Sequence, residues 1–274
     1  MKRILTIQDI SCVGQCSLTV ALPIISACGV ETAILPSSVL STHTGGFTGF
    51  TFHDLTEDMP AIEAHWNKEH LTFDAFYTGY VSPSQIDYIR HIMESCAAPG
   101  ALRIVDPAMA DNGVLYVGFE SDFPSQMARL CEGADYILPN LTEAAFLLGR
   151  TPVLSGYDKS FIEELCKALQ DTLHVKNVIL TGVSFDENQL GAAIYDGTGF
   201  SYVMNPKISR MSHGTGDIFA SAFTGALVRG KSAKEAAAIA ADFVCASIQA
   251  TAEDHRYGVS FEAAIPSLVK ALAE

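Results

Sequence analysis

The sequence predicts an α/β chain built as three layers, α/β/α, around a mostly parallel central sheet. Three observations predict it. Short apolar runs alternate with longer helical patterns along 274 residues. Hydrophobic residues make up 49% of the chain and charged residues only 18%, which suits a sizeable buried core. No proline-rich or charged linker, repeat or low-complexity tract interrupts the rhythm, so one domain over 1–274 is expected.

The elements follow in order. Residues 4–7 read as a strand, and 17–28 as a helix that Gly29 stops. A second strand at 31–36 leads into a loop rich in Thr, Gly and Phe at 41–52, in which Gly45-Gly46-Phe47-Thr48-Gly49 reads as a flap with Phe47 and Phe50 as apolar cover. Helix 61–69, strand 75–77, helix 83–97 and strand 103–105 come next. Helix 122–131, strand 136–138, helix 142–148, helix 161–173 and strand 177–180 repeat the pattern. Strands 191–195 and 199–203 form a hairpin across Asp196-Gly197, a turn-favouring pair. Helix 218–229 precedes another that begins at the capping box Ser232-Ala233-Lys234-Glu235, and an amphipathic helix covers 261–273.

Composition excludes several partners. A net charge of −14 argues against nucleic acid, which needs a basic footprint, and against an anionic membrane surface. It leaves room for a nucleotide, because Mg²⁺ and helix N-termini can supply local positive charge. No uncharged apolar run reaches membrane-spanning length, and the N-terminal apolar run is too short for a signal peptide. The seven cysteines form no Cys-x-x-Cys pair, and Cys12 and Cys16 lack a second cluster for zinc. Reduced, mostly buried thiols in a cytoplasmic protein are expected.

In open parallel sheets, ligands bind beyond the carboxyl ends of the strands. Gln8-Asp9, Thr78-Gly79-Tyr80, Asp106-Pro107, Pro139-Asn140 and Thr181-Gly182 all fall at such ends. The richest stretch is His213-Gly214-Thr215-Gly216-Asp217, just ahead of an apolar helix. Amides at a helix start point outward without internal partners and attract an anion such as phosphate. An aspartate there repels that anion, unless Asp217 takes a proton from a hydroxyl attacking the phosphate. The alternative is an ordinary turn with Asp217 as a cap. Asn140 and Glu143, three apart at a helix start, read either as a favourable first turn or as a site for Mg²⁺ reached through water, with Asp106 beside it.

Taken in order, Ile7-Gln8, Thr42-His43-Thr44-Gly45, Thr78-Gly79-Tyr80, Val105-Asp106-Pro107, Pro139-Asn140-Leu141-Thr142-Glu143 and Gly214-Thr215-Gly216-Asp217 resemble the ribokinase-like superfamily. Within it the chain is similar to the vitamin B6 kinases, over nearly its whole length. The resemblance implies a ribokinase-like fold without a separate β-lid, and transfer of the ATP γ-phosphoryl to the 5′-hydroxymethyl of pyridoxal, pyridoxine or pyridoxamine. It makes Asp217 the base, with Gly214, Thr215 and Gly216 lining the anion hole. It puts Asn140, Glu143 and Asp106 at the Mg-phosphate site and Thr181 at the nucleotide. His43, Thr44 and Tyr80 would line the pyridine pocket. ATP and Mg²⁺ are implied, as is a homodimer. Some relatives also use K⁺, for which this sequence carries no signal of its own.

One position departs from the family. Many B6 kinases carry serine after the first-strand glutamine, where this chain has Asp9, with Ser11 two residues on. A carboxylate there could pair with a protonated ring nitrogen or a cationic amine, or leave the contact to Ser11. The remaining histidines show no metal spacing, and only His213 lies next to the glycine turn. The nearest alternative is hydroxymethylpyrimidine kinase of thiamine synthesis, in the same superfamily. A dinucleotide oxidoreductase is disfavoured, because Asp9-Ile10-Ser11-Cys12-Val13-Gly14 follows the first strand in place of Gly-x-Gly-x-x-Gly. A non-catalytic B6-binding regulator is disfavoured by Asp217 and Glu143.

Overall fold

The computed structural model describes residues 1–209, 214–252 and 257–273. In chain order the strands and α-helices are β1 (Arg3–Ser11), α1 (Leu18–Ala27), β2 (Glu31–Leu40), β3 (Phe52–Asp54), α2 (Met59–Lys68), β4 (Phe73–Thr78), α3 (Ile86–Ser95), β5 (Ala97–Val105), β6 (Ala110–Asp111) and β7 (Val114–Leu115). They continue with α4 (Phe123–Cys131), β8 (Tyr136–Ile137), α5 (Leu141–Leu147), α6 (Lys159–Leu173), β9 (Asn177–Val183), β10 (Gln189–Tyr195), β11 (Phe200–Pro206), α7 (Thr215–Val228), α8 (Ala233–Ala250) and α9 (Ile265–Ala273).

Alternation along the strands makes the layers. Ile4 and Leu5 are adjacent in β1, yet they enter opposite cores. Leu5 joins the core beneath α2, α3, α4, α5 and α6; Ile4 joins the one beneath α1, α7, α8 and α9. Strands covered on both faces read as near-continuous apolar runs, which is why the short apolar stretches predicted this sheet.

The main sheet runs β11-β10-β9-β8-β5-β4-β1-β2-β3. The strands from β9 to β2 pair in parallel, while β3, β10 and β11 add antiparallel edges. The chain leaves β1 on one side for β2 and returns on its other side as β4. The strand order therefore reverses at β1, and a crevice opens beyond the carboxyl ends of β1 and β4.

Three differences from the sequence reading bear on the site. First, β1 runs to Ser11, with a register shift between Gln8 and Ile10, so Asp9 and Ser11 belong to the strand itself, which the sequence reading ended at residue 7. The polar residues there hide a strand whose last turns face the crevice. Second, β6 and β7 form an unforeseen small hairpin. Asn112 (φ 50) and Gly113 (φ 80) make its turn, and that Asn-Gly pair is the signal that could have found it. Third, the last helix opens with a 3₁₀ turn over Phe261–Ala264 before α9 begins. The Asp196-Gly197 hairpin and the Ser232–Glu235 capping box form as expected. Among the described residues no helix is long and apolar enough to cross a membrane, and all seven cysteines are free thiols.

Candidate active site

A cleft of about 750 Å³ opens beyond the carboxyl ends of the parallel strands. Its walls include every candidate taken from the sequence: Asp9, Ser11, His43, Thr44, Tyr80, Asp106, Asn140, Glu143, Thr181, Gly214, Thr215, Gly216 and Asp217. His213 lies outside the described residues.

The start of α7 forms one wall. Gly214 is its N-cap, with φ 82, and offers no side chain to the first turn. Helix geometry leaves the amides of Thr215, Gly216 and Asp217 without intrahelical partners. Only glycine fits at 214, because a Cβ there would lie 1.9 Å from the Gln15 carbonyl oxygen. Asp217, in the first turn, is half-buried. Burial pushes its carboxyl up to about 7, and the negative charge of Asp9 adds to the shift, against the pull of the Ser17 backbone N–H.

The start of α5 is built differently. The Asn140 side chain accepts from the N–H groups of Thr142 (2.8 Å) and Glu143 (3.0 Å). Glu143 Oε2 accepts from the Asn140 N–H at 2.9 Å, completing a capping box. Glu143 Oε1 accepts from Met109 N–H (3.1 Å) and Ala110 N–H (3.4 Å), and Asn140 Nδ2 donates to the Ala110 carbonyl (2.8 Å). Both carboxylate oxygens therefore hold backbone. Burial still pushes Glu143 up to about 8.

Asp106 stands at the end of β5. Its carboxyl lies well above its ordinary value, through burial first and then the charges of Glu143 and Asp217. It accepts no hydrogen bond from the described residues. No group of three or more His, Cys, Asp or Glu among the described residues is arranged to hold a metal ion. Asp106, uncommitted, and Glu143, held by backbone N–H groups, are two hard carboxylates on one cleft, a donor set that fits a divalent cation keeping waters and phosphate oxygens as its other ligands.

The opposite end surrounds Asp9, which is buried. Burial raises its carboxyl, while hydrogen bonds from Ser17 and Ser11 oppose the shift. Ser11 Oγ donates to Asp9 Oδ2 at 3.1 Å. Tyr80 stacks on Phe119 with ring centres 5.0 Å apart. Burial and the Asp9 charge push its phenol up to about 12. His43 is buried, and its Nδ1 accepts from the Gly45 N–H at 3.1 Å. Thr181 Oγ1 donates to the Pro139 carbonyl at 3.3 Å.

Phe47 and Phe50 do not line the cleft, contrary to their reading as its apolar cover. Phe47 packs edge-on to His43 (4.9 Å) and stacks on Tyr257 (5.9 Å). Apolar cover comes instead from the β6–β7 hairpin and the residues after it, Val114, Leu115, Tyr116 and Val117. The sequence reading also missed Ser17, which lines the cleft with φ 56 and ψ −133. Such a backbone costs a non-glycine residue about 1–3 kcal/mol. It missed Val244, Cys245 and Ile248 on α8 as well, whose spacing reads equally well as ordinary core. Five carboxylates and a single lysine, Lys207, line the cleft among the described residues.

A family model described as phosphomethylpyrimidine kinase matches residues 22–260. The chain belongs to the phosphomethylpyrimidine kinase family. A Bacteroides thetaiotaomicron protein assigned to the phosphomethylpyrimidine kinases and crystallised with pyridoxal superposes with a TM-score of 0.91 at 35% identity, covering 97% of this chain and 95% of that one. Pyridoxal kinase from Lactobacillus plantarum superposes with a TM-score of 0.90 at 32% identity, covering 98% and 97%. The hydroxymethylpyrimidine/phosphomethylpyrimidine kinase of Bacillus subtilis is 29% identical over 224 residues, 80% of this chain and 77% of that protein. The ribokinase-like architecture read from the ordered motifs therefore stands, and B6 kinases are among the relatives of this family member.

Proposed function

We propose that the protein is a single catalytic domain that transfers the γ-phosphoryl group of ATP to the 5′-hydroxymethyl of a B6 vitamer. One observation carries this reading: the helix start at Gly214, which has no side-chain cap of its own, carries a carboxyl, Asp217, in its first turn on the wall of the cleft. Asp217 takes the proton as the hydroxymethyl oxygen forms its bond to phosphorus, and the bond to the ADP oxygen breaks. The amides of Thr215, Gly216 and Asp217 receive the equatorial phosphoryl oxygens, where charge spreads in the transition state. Asp106 and Glu143 would hold Mg²⁺, which neutralises and orients the phosphates when bound. Asn140 and Thr181 lie on the nucleotide side. His43, Thr44, Tyr80, Asp9 and Ser11 surround the ring, with the Asp9 carboxylate facing a protonated ring nitrogen or an amine.

The pyridoxal-bound neighbour at 35% identity and the Lactobacillus pyridoxal kinase at 32% support a pyridine acceptor. The Bacillus relative supports the alternative acceptor, hydroxymethylpyrimidine. Measuring kcat/KM for pyridoxal, pyridoxine, pyridoxamine and hydroxymethylpyrimidine, with and without Mg²⁺, separates them. A B6 vitamer is expected to lead by about tenfold or more, equal to about 1.4 kcal/mol of discrimination. A lead for the pyrimidine would transfer the assignment to the thiamine branch. Asp9→Ser is expected to lower kcat/KM most for the vitamer that carries an amine.

A further inference from the structure

The β6–β7 hairpin has strands of two residues each and stands apart from the main sheet. A pair that short does not hold its shape alone. Its anchors come from the first turn of α5. Glu143 Oε1 accepts from the Met109 and Ala110 N–H groups, and Asn140 Nδ2 donates to the Ala110 carbonyl, all at the start of the hairpin. The turn has an anchor of its own: the Gly113 N–H donates to Thr142 Oγ1 at 3.0 Å. Thr142 is buried, and of these three anchoring residues it is the one that does not line the cleft.

The hairpin carries this anchorage across the cleft. Val114, Leu115, Tyr116 and Val117 form part of the cleft wall. The Tyr116 N–H donates to the Met109 carbonyl at 2.9 Å, and the Phe119 N–H to the Tyr116 carbonyl at 3.2 Å, so the run closes on its own start. The Phe119 ring then stacks on Phe123 (3.9 Å) and on Tyr80 (5.0 Å), itself a residue of the cleft. One run, 109–119, therefore joins the start of α5 to the ring behind Tyr80. We propose that Thr142 is a positioning residue of this site: its hydroxyl fixes the hairpin turn, and through it the apolar wall and the ring that backs Tyr80, against the bound acceptor. The inference rests on the kinase reading above, which puts Tyr80 at the acceptor ring.

Three substitutions test it. Thr142→Val and Thr142→Ala both remove the accepting oxygen, the first at nearly constant size, whereas Thr142→Ser keeps it. The valine and alanine variants are expected to raise KM for the B6 vitamer about tenfold, the lower end of what a site loses with an outer partner. KM for ATP and kcat should stay within about twofold, a split that a merely structural tie would not produce. Thr142→Ser should keep the wild-type KM. Hydrogen exchange reads the tether without turnover: the 109–119 amides should exchange about tenfold faster in the valine variant than in wild type or Thr142→Ser. Wild-type vitamer KM in the valine and alanine variants, an equal rise in KM for both substrates, or unchanged exchange of 109–119 would overturn the proposal. Absence of turnover in the wild-type protein with every acceptor would instead sink the kinase reading, while exchange in the variants would still decide the tether.

Discussion

Two helices begin in the same cleft with an acid at the third position, and they use it in opposite ways. At α5, Asn140 caps the first turn and Glu143 closes back onto the cap, so side chains of the helix itself occupy the first amides. At α7 the cap is Gly214, which has no side chain to place on the first turn, and Asp217 lines the cleft. The difference lies in the residue three places before the acid. A capping side chain ties the acid to the backbone as well as to the cleft, whereas a glycine leaves both the amides and the acid for a ligand.

Removing the acid at the open helix should have the largest effect. Asp217→Asn is expected to lower kcat by about 10²–10⁴ while leaving nucleotide affinity intact, read by steady-state kinetics and calorimetric titration. Turnover near wild type in that variant would take the base out of the mechanism. Gly214→Ala is expected to cost about 10²-fold in kcat, because its Cβ must push Gln15 and with it the first turn. A fully active alanine variant would show that the glycine is not required. At the closed helix the loss should be smaller and of another kind. Glu143→Gln keeps the shape but cannot accept three N–H donors as well. It should lower the melting temperature by about 2–6 °C and raise the Mg²⁺ requirement about tenfold.

The smallest effect concerns pH. The folded protein holds the Asp217 proton up to about 7, whereas an unfolded aspartate releases it near 3.8. The folded state therefore binds more protons between those values, and its stability falls as pH rises through that window. Thermal melts of wild type at pH 8 should come below those at pH 5 through this group, and Asp217→Asn should remove that part of the difference. Activity should run the other way, with kcat/KM rising through pH 7 as the base ionises. A profile flat from pH 5 to 9 would contradict the assigned proton acceptor.

Much of this contrast was legible in the sequence. Asn140 three residues before Glu143 and Gly214 three before Asp217 mark both helix starts, and the strand-end motifs placed their side chains on one edge. Asp9 was legible as a departure, but not its place within β1, because polar residues at a strand end carry no periodic signal. The β6–β7 hairpin was within reach through Asn112-Gly113. Ser17 was not, since a positive φ on serine is imposed by its neighbours and leaves no trace in residue type. Phe47 was misassigned because an aromatic in a glycine-rich loop predicts burial but not the partner; here the partner is Tyr257, more than two hundred residues away.

The meeting of Gln15 with Gly214, Tyr257 and Gly258 sets a timetable for biosynthesis. Ribosomes deliver roughly 5–20 residues per second and begin with the first strand. The turn after that strand must therefore wait for more than two hundred further residues before its packing partners emerge. A translation product halted short of residue 257 should retain much of the sheet and no phosphotransferase capacity, and the enzyme should switch on only once residues 257 and 258 have left the ribosome.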